Sequence, residues 1–119
     1  MLFRSKEISQ NSKMDAIQLL DKEMLLIEPY LKGKVIVLAV EGEMLSSEAF
    51  ASKIFDTFSS FDTITFVIGS SYGLSKKLKS KYNKISFSKM TFPHHLMRIV
   101  LEEQIYRAFT IKENITYHK

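Results

Sequence analysis

Three short segments, each following an apolar β-branched run, carry the residues best suited to bind a ligand or react with one. They are Leu38-Ala39-Val40-Glu41-Gly42, Ile68-Gly69-Ser70-Ser71-Tyr72-Gly73 and Ser88-Lys89-Met90-Thr91-Phe92. The third belongs to a longer stretch, Ile85 to His95, in which strand-like Ile85 and Phe87 run into hydroxyls, a sulfur, a proline and two histidines. Loops of this kind at the C-terminal ends of parallel strands bind ligands, because backbone N–H and C=O groups leave the ladder there beside helix N-termini. Gly69 and Gly73 let backbone approach a ligand closely, yet their G-x-x-x-G spacing is neither a dinucleotide fingerprint nor a P-loop, and on spacing alone a plain tight turn is the favoured account. His94 and His95 suit a proton acceptor or an RNA contact, or merely cap and pack a helix start. No carboxylate neighbours them in sequence, so neither a catalytic triad nor a metal site is indicated. Arg107, four residues beyond Glu103, can pair locally or meet a phosphate or a partner subunit. Tyr117-His118-Lys119 ends the chain with an aromatic ring, an imidazole and a cation, where a frayed terminus is the default.

These groups need elements to hold them. Met1 to Ile8 has a mixed pattern compatible with a strand, and Ser9 to Ser12 is a polar break. From Asp15, apolar Ile17, Leu20, Met24, Ile27 and Leu31 recur at helical spacing, with Pro29 kinking or ending the helix before Gly33. Val35 to Val40 reads as a strand covered on both faces, after which Gly42 turns the chain. Ser46 or Ser47 caps a helix with Phe50, Ile54 and Phe58 on its apolar stripe. Thr63 to Ile68 is a second buried strand, Lys76 to Lys81 a short basic helix or loop, and Ile85 to Ser88 a third core strand. The last helix runs from His94 to Phe109, packing through Leu96, Ile99, Val100, Gln104, Ile105 and Ala108, with Arg98, Glu102 and Lys112 solvated. Strands alternating with helices predict an α/β fold, a mostly parallel sheet with helices on both faces, in one domain spanning residues 1–119.

Composition narrows the chemistry. The 119 residues are 45% hydrophobic and 25% charged, as in an ordinary globular protein, and contain no cysteine, which excludes disulfides, thiol catalysis and cysteine-bound zinc. The N-terminal residues lack the apolar core of a signal peptide and the longest aliphatic run is too short for a bilayer, so a soluble, cytoplasmic protein without a membrane partner is expected. Residues 1–75 hold 7 Lys/Arg and 10 Asp/Glu, whereas residues 76–119 hold 10 Lys/Arg and 3 Asp/Glu. A positive field concentrated on the half that carries the third loop suits a polyanion such as nucleic acid, a solvated lysine face being the plainer alternative.

Four stretches taken together are more specific. F-V-I-G-S-S-Y-G-L-S (Phe66 to Ser75), S-F-S-K-M-T-F-P-H (Ser86 to His94), R-I-V-L-E-E-Q-I-Y-R-A-F (Arg98 to Phe109) and the terminal Y-H-K, together with M-L-S-S-E (Met44 to Glu48), resemble the RlmH family in order and spacing. These small SPOUT-class enzymes methylate N3 of a pseudouridine in bacterial 23S ribosomal RNA. The resemblance implies a trefoil-knotted α/β fold, an exception to the rule that chains do not thread their own loops. It also implies S-adenosyl-L-methionine as methyl donor, ribosomal RNA within the ribosome as substrate, no metal, and a homodimer formed through the last helix. Carried over residue by residue, the cofactor contacts fall on Leu38, Gly69, Phe87, Ser88, Lys89, Met90, Thr91 and Phe92, and the polar positions of a dimer-shared active site on His94, Arg107, Tyr117 and His118. On this basis His118, with His94 second, assists deprotonation of N3, while Arg107 and Lys119 hold RNA phosphates.

The chain departs from the family pattern in three places. Ala39 stands where an acidic residue is usual, Ser70 replaces a glycine of G-G-x-x-G, and Met1 enters the pattern near its second strand, leaving one sheet edge shorter or exposed. Two other readings compete with methyl transfer. A non-catalytic RNA- or ribosome-binding module would keep the basic half and dispense with the cofactor. A flavodoxin-like domain would need acidic clusters or phosphate loops that the sequence lacks.

Overall fold

The computed structural model describes residues 2–4 (backbone), 25–69 and 76–118. Four parallel strands form one sheet: β1 (Leu2–Arg4), β2 (Lys34–Met44), β3 (Thr63–Ile68) and β4 (Asn83–Ser86), in the order β1-β3-β2-β4. Helix α1 (Ser47–Phe58) joins β2 to β3, α2 (Lys76–Lys81) precedes β4, and α3 (His94–Lys112) follows it. A 3-10 turn, Glu28–Tyr30, with Pro29 at its start, ends the helical residues 25–27. Proline has no N–H for an interior helical bond, which accounts for the stop. The remainder of the helix expected from Asp15, the break at Ser9 to Ser12, and the 70–73 part of the glycine loop lie outside the described residues, as does Lys119. Of the strand expected over residues 1–8, residues 2–4 are seen, paired with β3 from Leu2↔Thr63 to Arg4↔Thr65.

Side-chain alternation explains why β2 and β3 read as continuous apolar runs. Ile36, Leu38, Ile64 and Phe66 join a cluster with Phe50, Ile54, Leu101 and Ala108 of α1 and α3. Val35, Val37 and Val67 point to the other face, where Leu78 and Ile27 cover them. The buried Thr65 hydroxyl donates to the Lys32 carbonyl at 2.7 Å, so no polar group is stranded at that point. Gly33 beside it sits at φ +67°, in the left-handed region, where a Cβ would overlap the Thr63 carbonyl. At the N-terminus of α1 the Ser46 hydroxyl accepts from the Ala49 N–H at 3.0 Å, the expected cap.

Several boundaries differ from expectation, each for a local reason. β2 does not turn at Gly42. Leu38 is opposite Ile85, residues 39–42 bulge, and Glu43 returns to the same Ile85, with Met44 opposite Ser86. A Cβ on Gly42 would lie 2.6 Å from the Ile85 carbonyl carbon and 2.7 Å from its nitrogen, so glycine here permits two backbones to cross rather than a reverse turn. β4 runs Asn83–Ser86 and not to Ser88, because the Ser86 hydroxyl donates to the Ser88 carbonyl (2.8 Å) and starts a turn. α3 extends past Phe109 to Lys112, and Asn114 at φ 55° then breaks it. Its packing face also differs: Leu101, Ala108 and Thr110 are buried and Val100, Gln104 and Ile105 half-buried, whereas Leu96 and Ile99 are 43% and 62% exposed. Arg98 and Glu102 pair with each other at 3.3 Å, and the Lys112 ammonium lies over the Phe55 ring.

Because the Ile85 backbone cannot retreat without breaking β4 from β2, Gly42→Ala is expected to cost about 2 kcal/mol, the usual scale of overpacking. Urea unfolding of the two proteins measures it, with an unchanged midpoint as the contrary result.

Candidate active site

The register aligns three strand ends. Leu38 of β2 is opposite Ile68 of β3 on one side and Ile85 of β4 on the other. Beyond that row the ladder opens: residues 39–42 arch out of it, Gly69 follows the end of β3 and Phe87 the end of β4, so three segments emerge along one edge. Since the chain passes from β2 to β3 on one side and reaches β4 on the other, this edge is a point where the connections diverge and leave a crevice. The turn after β4 is built by its own serines: Ser86 bonds to the Ser88 carbonyl, and the Ser88 hydroxyl accepts from the Met90 N–H at 3.0 Å. That turn leaves Met90 70% exposed and Phe92 38% exposed, while Lys89 and Thr91 are also on the surface. Phe87 is half-buried and stacks on Phe50 of α1 at 5.7 Å, which ties the turn to the core. Below the bulge, Glu41 pairs with Lys79 of α2 at 2.8 Å, and that bond holds the Glu41 carboxyl below its ordinary pKa.

A second cluster forms at the C-terminal end of α3. Arg107 bonds Glu103 through Nε (2.9 Å) and Nη2 (2.6 Å), and its third nitrogen, Nη1, lies 3.0 Å from His118 Nδ1. The hydrogen bond from Arg107 to Glu103 raises the guanidinium pKa further, so the cation is permanent. The Tyr117 ring lies under the Arg107 guanidinium at 4.9 Å and edge-on to Tyr106 at 4.9 Å, and its hydroxyl donates to Glu103 at 3.3 Å. His118 Nε2 is 2.7 Å from Glu48 in the first turn of α1. The tail expected by default to fray is thus folded back on α1 and α3. Ser47 reinforces the same junction by donating to Gln104 at 2.8 Å.

The structure brings Arg107, Tyr117 and His118 together and leaves His94 apart. Thirteen residues of helix at 1.5 Å each put His94 about 20 Å along the axis from Arg107. There its ring lies tilted against that of His95, centroids 4.0 Å apart. Glu48 and Glu103 complete the cluster. The local Arg107 pairing was legible from the four-residue spacing, but Glu48 meets His118 across 70 residues, and only its place in M-L-S-S-E marked it. Among the described residues no group of three His, Asp or Glu side chains is arranged to hold a metal.

The His118 hydrogen bond, followed by one from its own backbone, lowers the Glu48 pKa from 4.5. A depressed carboxyl stabilises the folded tail above its unfolded-state pKa, and that contribution is lost as pH falls through the lower folded value. Acidification below about pH 4.5 is therefore expected to loosen the tail without undocking it, since a protonated carboxyl keeps an oxygen that accepts from the imidazole. Arg107→Ala is expected to undock the tail at neutral pH. The Tyr106–Tyr117 ring NOEs, weakened in the first case and lost in the second, report both, and NOEs that persist in Arg107→Ala would show that the guanidinium does not hold the tail.

Comparisons with known proteins identify the family. A family model described as "Predicted SPOUT methyltransferase" matches residues 2–118. The chain is 40% identical over 136 residues to the ribosomal RNA large subunit methyltransferase H of Streptococcus pneumoniae strains CGSP14, ATCC 700669 / Spain 23F-1 and 70585, covering 97% of this chain and 86% of each relative. The matched stretch is longer than the 119-residue chain itself, so the relatives carry residues inside it that have no counterpart here. A match from residue 2 to residue 118, with 40% identity to these relatives over 97% of the chain, shows that the chain belongs to the SPOUT methyltransferase family.

Proposed function

We propose that the chain transfers a methyl group from S-adenosyl-L-methionine to N3 of a pseudouridine in bacterial 23S ribosomal RNA. The reading places it in the cytoplasm, acting on the assembled ribosome. The observation that carries the reading is its 40% identity over nearly its whole length to relatives named ribosomal RNA large subunit methyltransferase H. The donor's fit is supported by Met90 and Phe92, apolar side chains left uncovered in the turn that follows β4, as an adenine ring and a thioether require. Backbone groups of Ser88, Lys89 and Thr91 in the same turn would hydrogen-bond its polar parts. When bound, the donor supplies an electrophilic methyl on a sulfonium. Exposed Lys76, Lys77 and Lys89 belong to the basic half and suit RNA phosphates. No helix among the described residues is long and apolar enough to cross a membrane.

N3 of pseudouridine carries a proton near neutral pH and must lose it as its electron pair attacks. His118 is the group proposed to accept that proton. Arg107 supplies a permanent cation for the negative charge that develops on the base, and Tyr117 supports the guanidinium from below. His94 lies too far along α3 to join them within one chain. An exposed stripe on α3, formed by Leu96, Ile99 and Tyr106 with Ile115 beyond, supports a homodimer in which a second copy covers this face and His94 reaches a shared site.

Methyl transfer to ribosomes from a strain lacking the modification is the test. His118→Ala is expected to lower the single-turnover rate about 100-fold or more, and an unchanged rate would remove His118 from the chemistry. The proposed reading has transfer occur on assembled ribosomes and not on free 23S RNA, and equal transfer to the free RNA would refute that part of it. Failure to bind S-adenosyl-L-methionine at millimolar concentration in a calorimeter would favour the non-catalytic module instead. Ile99→Glu should shift sedimentation from dimer to monomer, and a variant that stays dimeric would exclude this face as the interface.

A further inference from the structure

We propose that Glu48 is a positioning residue for the proton transfer, holding the His118 imidazole in the one tautomer that presents its Nδ1 lone pair to the site. The inference rests on the reading of His118 as proton acceptor and extends it to a residue on a different helix. A guanidinium has donors only, so His118 Nδ1, 3.0 Å from Arg107 Nη1, must accept. The ring hydrogen then sits on Nε2, which donates to Glu48 Oε1 at 2.7 Å. Both ring nitrogens are thereby assigned by their neighbours. Among the described residues Glu48 from α1 and Arg107 from α3 contact the ring, and Glu103 and Tyr117 act on it through Arg107, which they bond and underlie.

The geometry distributes the work of a base between two helices. Glu48 follows the Ser46 cap in the first turn of α1, where unpaired N–H groups and the helix dipole favour a carboxylate. It holds Nε2–H and also stabilises the imidazolium that forms when Nδ1 takes a proton, the role the third member plays in nucleophile–base–orienter arrangements. In the free chain Arg107 occupies the Nδ1 lone pair. Its two bonds to Glu103 keep the guanidinium in place once that third bond is given up, so the N3–H of the base can take its position at Nδ1. The N3 proton then passes to Nδ1 as the N3 electron pair forms a bond to the sulfonium methyl and the C–S pair remains on sulfur. Arg107, still tethered, faces the carbonyl charge of the base, and the imidazolium later returns its proton to water.

A plain tail latch would use the same contact, and Glu48→Gln separates the two roles. Gln retains an oxygen that can accept from Nε2–H, so the Tyr106–Tyr117 NOEs should remain, but it lacks the charge that stabilises the imidazolium. The expected result is a kcat about tenfold lower with unchanged affinity for S-adenosyl-L-methionine and ribosomes. Glu48→Ala should lose more, about 100-fold, and the 15N shifts of the His118 ring should show the Nε2–H tautomer depleted. Glu48→Ala placed on His118→Ala should cost nothing further, because Glu48 acts only through the imidazole. Full activity in Glu48→Gln with the tail docked would overturn the proposal, as would an additive double variant. If His118→Ala alone keeps the wild-type rate, the base assignment fails and this inference with it. If His118→Ala is inactive while Glu48→Ala is not, the inference fails and the base assignment stands.

Discussion

The fold and the site depend on one constraint, the burial of β2 between β3 and β4. Its backbone is hydrogen-bonded on both edges, and the side chains of residues 35–38 are covered on both faces, by α1 and α3 on one side and by α2 with Ile27 on the other. A strand in that position cannot slide, because a one-residue slip would exchange Ile36 and Leu38 with Val35 and Val37 across the sheet. The row Ile68, Leu38, Ile85 is fixed as a consequence, and the ends of three strands open at one edge. The arch at 39–42 then returns β2 to Ile85 and delivers Ser46, Ser47 and Glu48 to the start of α1. The crossing requires Gly42, since no side chain fits between the two backbones.

α1 connects the two parts of the proposed site. Within one turn of its N-terminus Ser47 reaches Gln104, Glu48 reaches His118, and Phe50 stacks on Phe87. The turn after β4 and the C-terminal tail therefore share a support that is itself packed on the sheet through Phe50, Ala51 and Ile54. Exposed ion pairs such as Arg98–Glu102 add little to stability. The planar fork of Arg107 differs in kind: it bonds Glu103 twice, His118 once and covers Tyr117, and a lysine has no geometry to do all three.

Much of this could be read from the sequence because it is local. The apolar runs at Val35 to Val40 and Thr63 to Ile68 placed two strands, the Ser46 cap and the Phe50, Ile54, Phe58 stripe placed α1, and the four quoted stretches pointed to the family that the comparisons bear out. Misreadings fell where tertiary contacts overrule local preference. Gly42 has the profile of a turn residue and instead permits a strand crossing. Leu96 and Ile99 have the profile of core residues and are exposed, because α3 carries apolar side chains on more than the face that packs on the sheet. Ser88 has strand character by neighbourhood but closes a serine turn.

The sequence by itself determined the element types, the parallel α/β class and the family, since hydrophobic periodicity, caps and motif spacing are properties of neighbouring residues. Only the tertiary structure decided which groups meet. Glu48 and His118 are 70 residues apart and bond because β2 arches and α3 packs along α1, while His94 and Arg107 share one helix and are kept apart by its rise. Distance along a chain says little about distance across a fold, and the site depends on the second.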